Sequence, residues 1–211
     1  MPLTDYFFDL DGTLLDTVPD IGACMKSALA ENGVAVDNFQ RRFVIGPPLA
    51  DAVRDFLPGV SDEIVQKVIE RFKYSYDTSC YPLTQAYEHV DSVLNQLYKS
   101  GNRLYIATNK RRFPTDRLME KFAWTRRFTD IITCDFRSDS STPKSEMLLI
   151  LQKKWGVLTE NAVMIGDTKS DMDAGQAAGF HTFAVTWGYG TLEKLQQAKP
   201  DKILDNILDL F

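Results

Sequence analysis

The stretch YFFDLDGT, residues 6–13, decides the fold, because three apolar residues run directly into two acids and a glycine. A short apolar run bounded by a turn signal is typical of a buried strand, and Gly12 predicts the turn. Polar residues that follow such a strand stand where α/β sheets bind their ligands. Asp9 and Asp11 are therefore candidate site residues, although the pattern by itself also fits a simple turn.

Strands and helices alternate along the chain from residue 81 onward. The segments 103–107, 131–134, 162–165 and 181–185 predict strands, and 202–204 is a further candidate. Helices are predicted between them, at 88–99, 114–122, 144–155 and 170–178. This alternation is typical of parallel βαβ units. We therefore predict an α/β fold built on a doubly wound parallel sheet.

A block with helical patterns, residues 16–80, separates the first strand from the later ones. The block is too long for an ordinary connection between a strand and a helix. We therefore predict a helical domain at 16–80, inserted between residues 1–15 and 81–211 of the core domain. Within it, Gly46-Pro47-Pro48 predicts a break between helices.

Composition excludes several classes of function. The chain has 211 residues, with 24 Lys and Arg against 29 Asp and Glu, and the resulting acidity argues against sequence-independent nucleic-acid binding. No apolar run approaches the roughly 20 residues needed to cross a membrane, and the N-terminus lacks a secretory signal pattern. Three widely spaced cysteines suggest neither a disulfide framework nor a zinc site. We expect a cytoplasmic protein whose thiols are buried and reduced, namely those of Cys24, Cys80 and Cys134.

Further polar residues follow the other predicted strands. Thr108 and Asn109 come after the strand at 103–107, Asp167 follows the strand at 162–165, and Lys144 opens a helix. Clustered carboxylates repel one another unless a cation lies among them, and oxygen ligands suit Mg²⁺. A lysine and a hydroxyl aimed at the same point suit a phosphoryl group, and an aspartate can form an acyl phosphate. The pattern therefore predicts phosphoryl transfer.

The motifs resemble those of the haloacid dehalogenase superfamily, in the same order along the chain. DLDGTLLDT at 9–17 resembles the first motif, TNK at 108–110 the second, Lys144 the third and GDTKSD at 166–171 the fourth. The helical block is similar to the small α-helical cap of the phosphoglycolate phosphatase-like members. The resemblance implies a Rossmann-like catalytic core and a cap domain.

The resemblance also implies roles for the acids, with Mg²⁺ as cofactor. Asp9 would be the nucleophile and a metal ligand, and Asp11 the general acid/base, with its backbone carbonyl on the metal. Asp167 would be a metal ligand, and Asp171 would support the metal site. For Asp171 a structural interpretation stays open, because Ser170 and Asp173 beside it resemble a helix-capping pair.

The resemblance implies that residues of the second and third motifs bind the phosphoryl group. Thr108 and Asn109 would hold the transferring phosphoryl group, and Lys144 would pair with Asp9 and the phosphoryl oxygens. Lys110 competes with Lys144 as the main cation for the phosphoryl group.

The function implied is a Mg²⁺-dependent phosphomonoesterase that acts on a small phosphorylated metabolite through an aspartyl-phosphate, as a monomer or homodimer. A 5′-nucleotidase or a phosphosugar mutase could use the same core. Asp11 argues against a haloacid dehalogenase, and the helical insert argues against a phospho-accepting signalling receiver.

Arg41 and Arg42 fit either a substrate contact or a solvated face. The lone histidines and the tryptophans are assigned to packing or solvent: His89, His181, Trp124, Trp155 and Trp187.

Overall fold

A computed structural model gives the architecture and describes residues 3–34, 49–137 and 141–211. The chain divides into two compact units. Unit 1 comprises residues 1–16 and 86–211, and unit 2 comprises residues 17–85. Arg41, Arg42 and the predicted break at Gly46-Pro47-Pro48 lie outside the described residues.

Unit 1 is built on a six-stranded parallel sheet, which confirms the predicted fold class. Its strands are β1 (Asp5–Phe8), β4 (Arg103–Thr108), β5 (Asp130–Thr133), β6 (Ala162–Gly166), β7 (His181–Val185) and β8 (Lys202–Leu204). The order across the sheet is β5-β4-β1-β6-β7-β8. Two short strands, β2 (Leu15–Asp16) and β3 (Gln85–Ala86), mark where the chain leaves and re-enters unit 1.

The strand order explains where a site can form. β1 lies between β4 and β6, so the chain adds strands first on one side of β1 and then on the other. Such a switch in strand order opens a crevice at the carboxyl ends of the central strands. Residues that follow β1, β4 and β6 therefore meet at the same edge of the sheet.

The helices of the described residues flank the sheet or form unit 2. They are α1 (Val18–Glu31), α2 (Leu49–Phe56), α3 (Asp62–Thr78), α4 (Val90–Lys99), α5 (Arg112–Lys121), α6 (Lys144–Trp155), α7 (Lys169–Ala177) and α8 (Leu192–Gln197). The sequence patterns missed α8, which is only six residues long, and placed the start of α5 two residues too late. Short 3₁₀ turns occur at Thr159–Asn161 and Ile207–Leu210.

The core of unit 1 is centred on β1. All four residues of β1 are buried, as expected for a parallel strand covered on both faces. The Phe7 ring stacks on Tyr105 at 4.4 Å between centroids and packs against Phe180 at 4.8 Å. This packing fixes the strand that leads into Asp9.

Unit 2 is helical, and α1 packs against α3. The unit extends to Gln85 rather than ending at residue 80. The buried Asp20 carboxylate accounts for the difference, because it accepts hydrogen bonds from the Leu83 and Thr84 amides and from the Thr84 hydroxyl, the shortest at 2.6 Å. Residues 83–84 are thereby fixed to α1.

The cysteines depart from the expectation of three buried thiols. All three are free, but only Cys24 is buried, while Cys134 is half-buried and Cys80 is exposed. Cys80 lies two residues after the end of α3, with a φ of 59°. Among the described helices, none combines the length and the apolar character needed to cross a membrane.

Candidate active site

The loop after β1 is folded tightly against Asp167. Asp9 continues the strand direction, since its N–H donates to the Ile165 carbonyl at 3.0 Å. Gly12 then turns the chain with a φ of +87°, a conformation that favours glycine. A Cβ at Gly12 would lie 2.4 Å from Asp167 Oδ2, so this position also requires the missing side chain.

Three buried carboxylates meet at the carboxyl edge of the sheet. Asp9, Asp167 and Asp171 each offer an oxygen within 4.8 Å of the others. They come from the end of β1, the end of β6 and the first turn of α7. These are three of the four acids that the sequence placed at the metal; the side chain of the fourth, Asp11, lies outside this group.

Lys144 supplies a buried positive charge to the same group. Its ammonium lies 2.9 Å from Asp9 Oδ1 and also pairs with Asp171. Burial lowers the pKa of Lys144, but the carboxylates of Asp171 and Asp9 raise it by more, so the net pKa is raised and the side chain is charged. Lys144 reaches this position because it begins α6, which packs on β4 and β5.

The carboxylates carry more negative charge than Lys144 balances. Burial, together with Asp171, Asp167 and Asp11, raises the pKa of Asp9 to about 7 despite the opposing charge of Lys144. Burial and Asp171 raise the pKa of Asp167 to about 6. Three ionised carboxylates against one ammonium leave two negative charges, and their oxygens are the donors that a hard divalent cation prefers. The residues present therefore fit a divalent cation.

Asp171 also caps α7. The Thr168 N–H and hydroxyl both donate to Asp171 Oδ2, at 2.9 and 2.6 Å, and the Asp171 N–H donates to the Thr168 hydroxyl at 3.4 Å. The expected cap from Ser170 and Asp173 is wrong, because α7 begins at Lys169, two residues earlier than a cap at Ser170 would allow, and Thr168 is its N-cap. Asp173 instead pairs with Lys169 at 2.6 Å. Asp171 is thus held in place by the helix terminus and by Lys144.

Asp11 has a separate buried partner, Lys110. The Lys110 ammonium lies 2.9 Å from each of the two Asp11 carboxylate oxygens. Lys110 and Lys144 therefore do not share one position: the first is paired with Asp11 and the second with Asp9 and Asp171. No sequence pattern signalled the Lys110–Asp11 pair.

Thr108 and Asn109 lie at the end of β4. The register that pairs Phe8 with Ile106 brings the end of β4 beside the loop that follows β1. Thr108 is buried, and its hydroxyl accepts a hydrogen bond from the Lys110 N–H at 3.2 Å. Asn109 is half-buried.

Comparison with protein families gives one model that spans most of the chain. Residues 6–185 match the family described as haloacid dehalogenase-like hydrolase. The chain belongs to the haloacid dehalogenase-like hydrolase family. The resemblance drawn from its motifs is thereby confirmed, and the protein is an enzyme.

Relatives of this hydrolase include several named phosphatases. It is 32% identical over 209 residues to the phosphoglycolate phosphatase of Vibrio cholerae, covering 95% of this chain and 92% of the relative. It is 30% identical over 209 residues to the phosphoglycolate phosphatase of Aliivibrio fischeri, covering 94% and 90%. These relatives place the hydrolase among the phosphatases of the family.

Solved structures agree in fold with the hydrolase. A haloacid dehalogenase-like family hydrolase from Streptococcus pneumoniae superposes with a TM-score of 0.86 at 27% identity, covering 99% of this chain and 96% of that chain. A predicted phosphoglycolate phosphatase from Haemophilus somnus gives a TM-score of 0.90 at 22% identity, covering 99% of this chain and 96% of that chain. At this identity the likeness shows the fold alone.

The hydrolase has one further segment at the site, residues 186–190, that sequence analysis did not assign there. The Tyr189 N–H donates to Asp167 Oδ2 at 2.7 Å. Trp187, expected only to pack, donates from its indole N–H to the Thr13 carbonyl at 3.1 Å. Its place in the sequence could have indicated a role at the site, because the segment follows β7, which lies beside β6, at the edge of the sheet where ligands bind.

Proposed function

We propose that the hydrolase is a Mg²⁺-dependent phosphomonoesterase that forms an aspartyl-phosphate on Asp9. The observation that carries the proposal is the position of Asp9. It directly follows β1, and its carboxylate lies 2.9 Å from the buried Lys144 ammonium and within 4.8 Å of two further buried carboxylates. Unit 1 would be the catalytic core and unit 2 the cap.

The carboxylates of Asp9 and Asp167, with the backbone carbonyl of Asp11, would hold the Mg²⁺ ion, supported by Asp171. Their chemistry fits, since Mg²⁺ binds through few carboxylates and retains oxygen ligands from water or substrate. When bound, the ion offsets negative charge on the phosphoryl group and on Asp9. Lys144 contributes to the same neutralisation from the protein side.

The protein's own residues account for both halves of the reaction. In the first half, an Asp9 oxygen attacks phosphorus, the bond from phosphorus to the ester oxygen breaks, and Asp11 gives a proton to the departing alcohol. In the second half, Asp11 takes a proton from water as that water attacks phosphorus, which releases phosphate and restores the Asp9 carboxylate. Thr108 and Asn109 would donate hydrogen bonds to the phosphoryl oxygens.

Phosphoglycolate is the substrate that the comparisons favour. Two relatives that bear the name phosphoglycolate phosphatase are 30% and 32% identical to this chain over nearly their whole length. A small phosphorylated metabolite also suits a site whose two proposed catalytic acids, Asp9 and Asp11, are largely buried.

Phosphate release tests the proposal. Phosphoglycolate, a nucleoside monophosphate, a hexose phosphate and p-nitrophenyl phosphate are each supplied with Mg²⁺ or with excess EDTA. We expect Mg²⁺-dependent turnover, fastest with phosphoglycolate, and none from Asp9→Asn. Asp5→Asn is the matched control, because it neutralises a buried acid at the other end of the same strand. Turnover that survives in Asp9→Asn, or that ignores EDTA, would overturn the mechanism.

A further inference from the structure

We infer that residues 186–190, here called the 186–190 segment, belong to the active site and hold Asp167 in the orientation that binds the cation. Tyr189 is the positioning residue. The inference rests on the proposed function, because it assigns a role toward the cation that the carboxylates would hold.

The first step of the argument is the hydrogen bonding of Asp167. Its Oδ1 accepts from the Thr13 hydroxyl at 3.1 Å, and its Oδ2 accepts from the Tyr189 N–H at 2.7 Å. A carboxylate oxygen has two acceptor positions, so each oxygen keeps one for a cation. Asp167 is fully buried, and these two donors fix the rotation of its carboxylate plane.

The second step is that the 186–190 segment controls both donors. It supplies the Tyr189 N–H itself. It also holds the Thr13 backbone, through the Trp187 indole N–H that donates to the Thr13 carbonyl at 3.1 Å. A shift of this segment would therefore move both groups that orient Asp167.

Two glycines show how closely the segment approaches Asp167. A Cβ at Gly188 would lie 2.3 Å from Asp167 Cβ and 2.3 Å from the Gly12 carbonyl oxygen. A Cβ at Gly190 would lie 1.9 Å from the Asp167 carbonyl oxygen. Either added Cβ would force neighbouring atoms to move, so the segment lies directly against Asp167.

The Tyr189 side chain anchors the segment on its other side. Its hydroxyl lies 3.2 Å from Asp16 Oδ1 and 3.5 Å from the Leu15 carbonyl oxygen, and it is hydrogen-bonded to Tyr87. Leu15 and Asp16 form β2, which follows the loop that begins at Asp9. The phenol therefore ties the Asp167 donor to the strand that directly follows the Asp9 loop.

The experiment measures Mg²⁺ binding directly, apart from activity. Isothermal titration and the Mg²⁺-dependent rise in melting temperature are compared for the wild type, Tyr189→Phe and Gly188→Ala. Partners that orient a metal ligand typically contribute about 10- to 100-fold in metal affinity. We expect a loss of about that size in Gly188→Ala and a smaller loss in Tyr189→Phe, which keeps the backbone donor.

Gly156→Ala is the matched control. Gly156 follows α6 with a φ of +60°, and an added Cβ would meet no atom within 4 Å. The change strains the backbone away from the site, so stability should fall while Mg²⁺ affinity stays at the wild-type value. This comparison separates a positioning role from a general loss of stability.

The outcomes distinguish the inference from the function on which it rests. If Gly188→Ala does not fold, Tyr189→Phe decides the question alone. Wild-type Mg²⁺ affinity in the folded variants would overturn the positioning role and leave the cation site standing. A wild-type protein that binds no Mg²⁺ would overturn both.

Discussion

Replacing Asp9 with asparagine is expected to make the metal-free protein more stable at pH 8 while abolishing its turnover. Burial and the neighbouring carboxylates raise the pKa of Asp9 from 3.8 to about 7. The folded state therefore resists ionisation of this side chain, and an ionised Asp9 destabilises the fold. Asparagine has nearly the same shape and carries no charge, so it removes that penalty.

The magnitude follows from the difference in pKa between the folded and unfolded states. The rise in the pKa of Asp9 from 3.8 to about 7, at about 1.4 kcal/mol per pH unit, lowers the free energy of unfolding by about 4 kcal/mol once Asp9 is ionised. The sign is fixed by proton binding: between pH 4 and pH 7 the folded state holds a proton that the unfolded state has lost, so wild-type stability falls as pH rises. The advantage of Asp9→Asn is thus smaller at pH 5, reaches about 4 kcal/mol near pH 7 and is nearly constant above it.

Urea unfolding in EDTA at pH 5 and pH 8 measures the effect. Asp5→Asn should behave in the opposite way, because Asp5 is buried against the Arg103 guanidinium at 2.7 Å and its neutralisation breaks an ion pair. We expect that control to lose about 1–3 kcal/mol. The reasoning is refuted if Asp9→Asn is no more stable than the wild type at pH 8, or if its advantage is the same at both pH values.

Three further changes probe the other charges. Lys144→Met should lower kcat about 100- to 1000-fold and weaken the metal-free fold at pH 8, because the buried carboxylates of Asp9 and Asp171 lose their ammonium partner; unchanged kcat would remove Lys144 from the mechanism. Lys110→Met should slow hydrolysis of alkyl phosphates about 10- to 100-fold and p-nitrophenyl phosphate far less, since only the former needs the proton held by Asp11; equal losses would contradict this role. Mg²⁺ affinity should rise between pH 5 and pH 8, as Asp9 and Asp167, with pKa values of about 7 and 6, lose protons to accept the cation; titration calorimetry that finds no pH dependence would refute it.

Much of the fold could be predicted from sequence because short apolar runs and glycine stops mark a parallel α/β chain clearly. The position of Asp9 after β1 and of Asp167 after β6 followed from that pattern alone. Lys144 could be placed at the start of α6 for the same reason. The positions of these residues follow from where strands and helices begin and end, and local sequence patterns indicate those boundaries.

The parts that could not be predicted depend on side-chain direction across long sequence separations. Lys110 and Lys144 were alternatives for one position, and only the folded chain shows that each faces a different carboxylate. Thr168 and Ser170 are both good helix caps, and the end of β6 decides between them. Trp187 and Tyr189 are residue types that usually pack, so their hydrogen bonds at the site carried no local signal.

The central place of β1 has a consequence for how the enzyme is made. β1 pairs with β4 on one side and with β6 on the other, and Thr13 reaches Asp167 across 154 residues. Such distant pairings are slow to form, and chains fold from the N-terminus as the ribosome releases them. A nascent chain that stops before Asp171 carries Asp9 without an assembled carboxylate cluster. The carboxylate cluster can therefore assemble only late in translation, when β6 has been synthesised and pairs with β1, the first strand of the sheet.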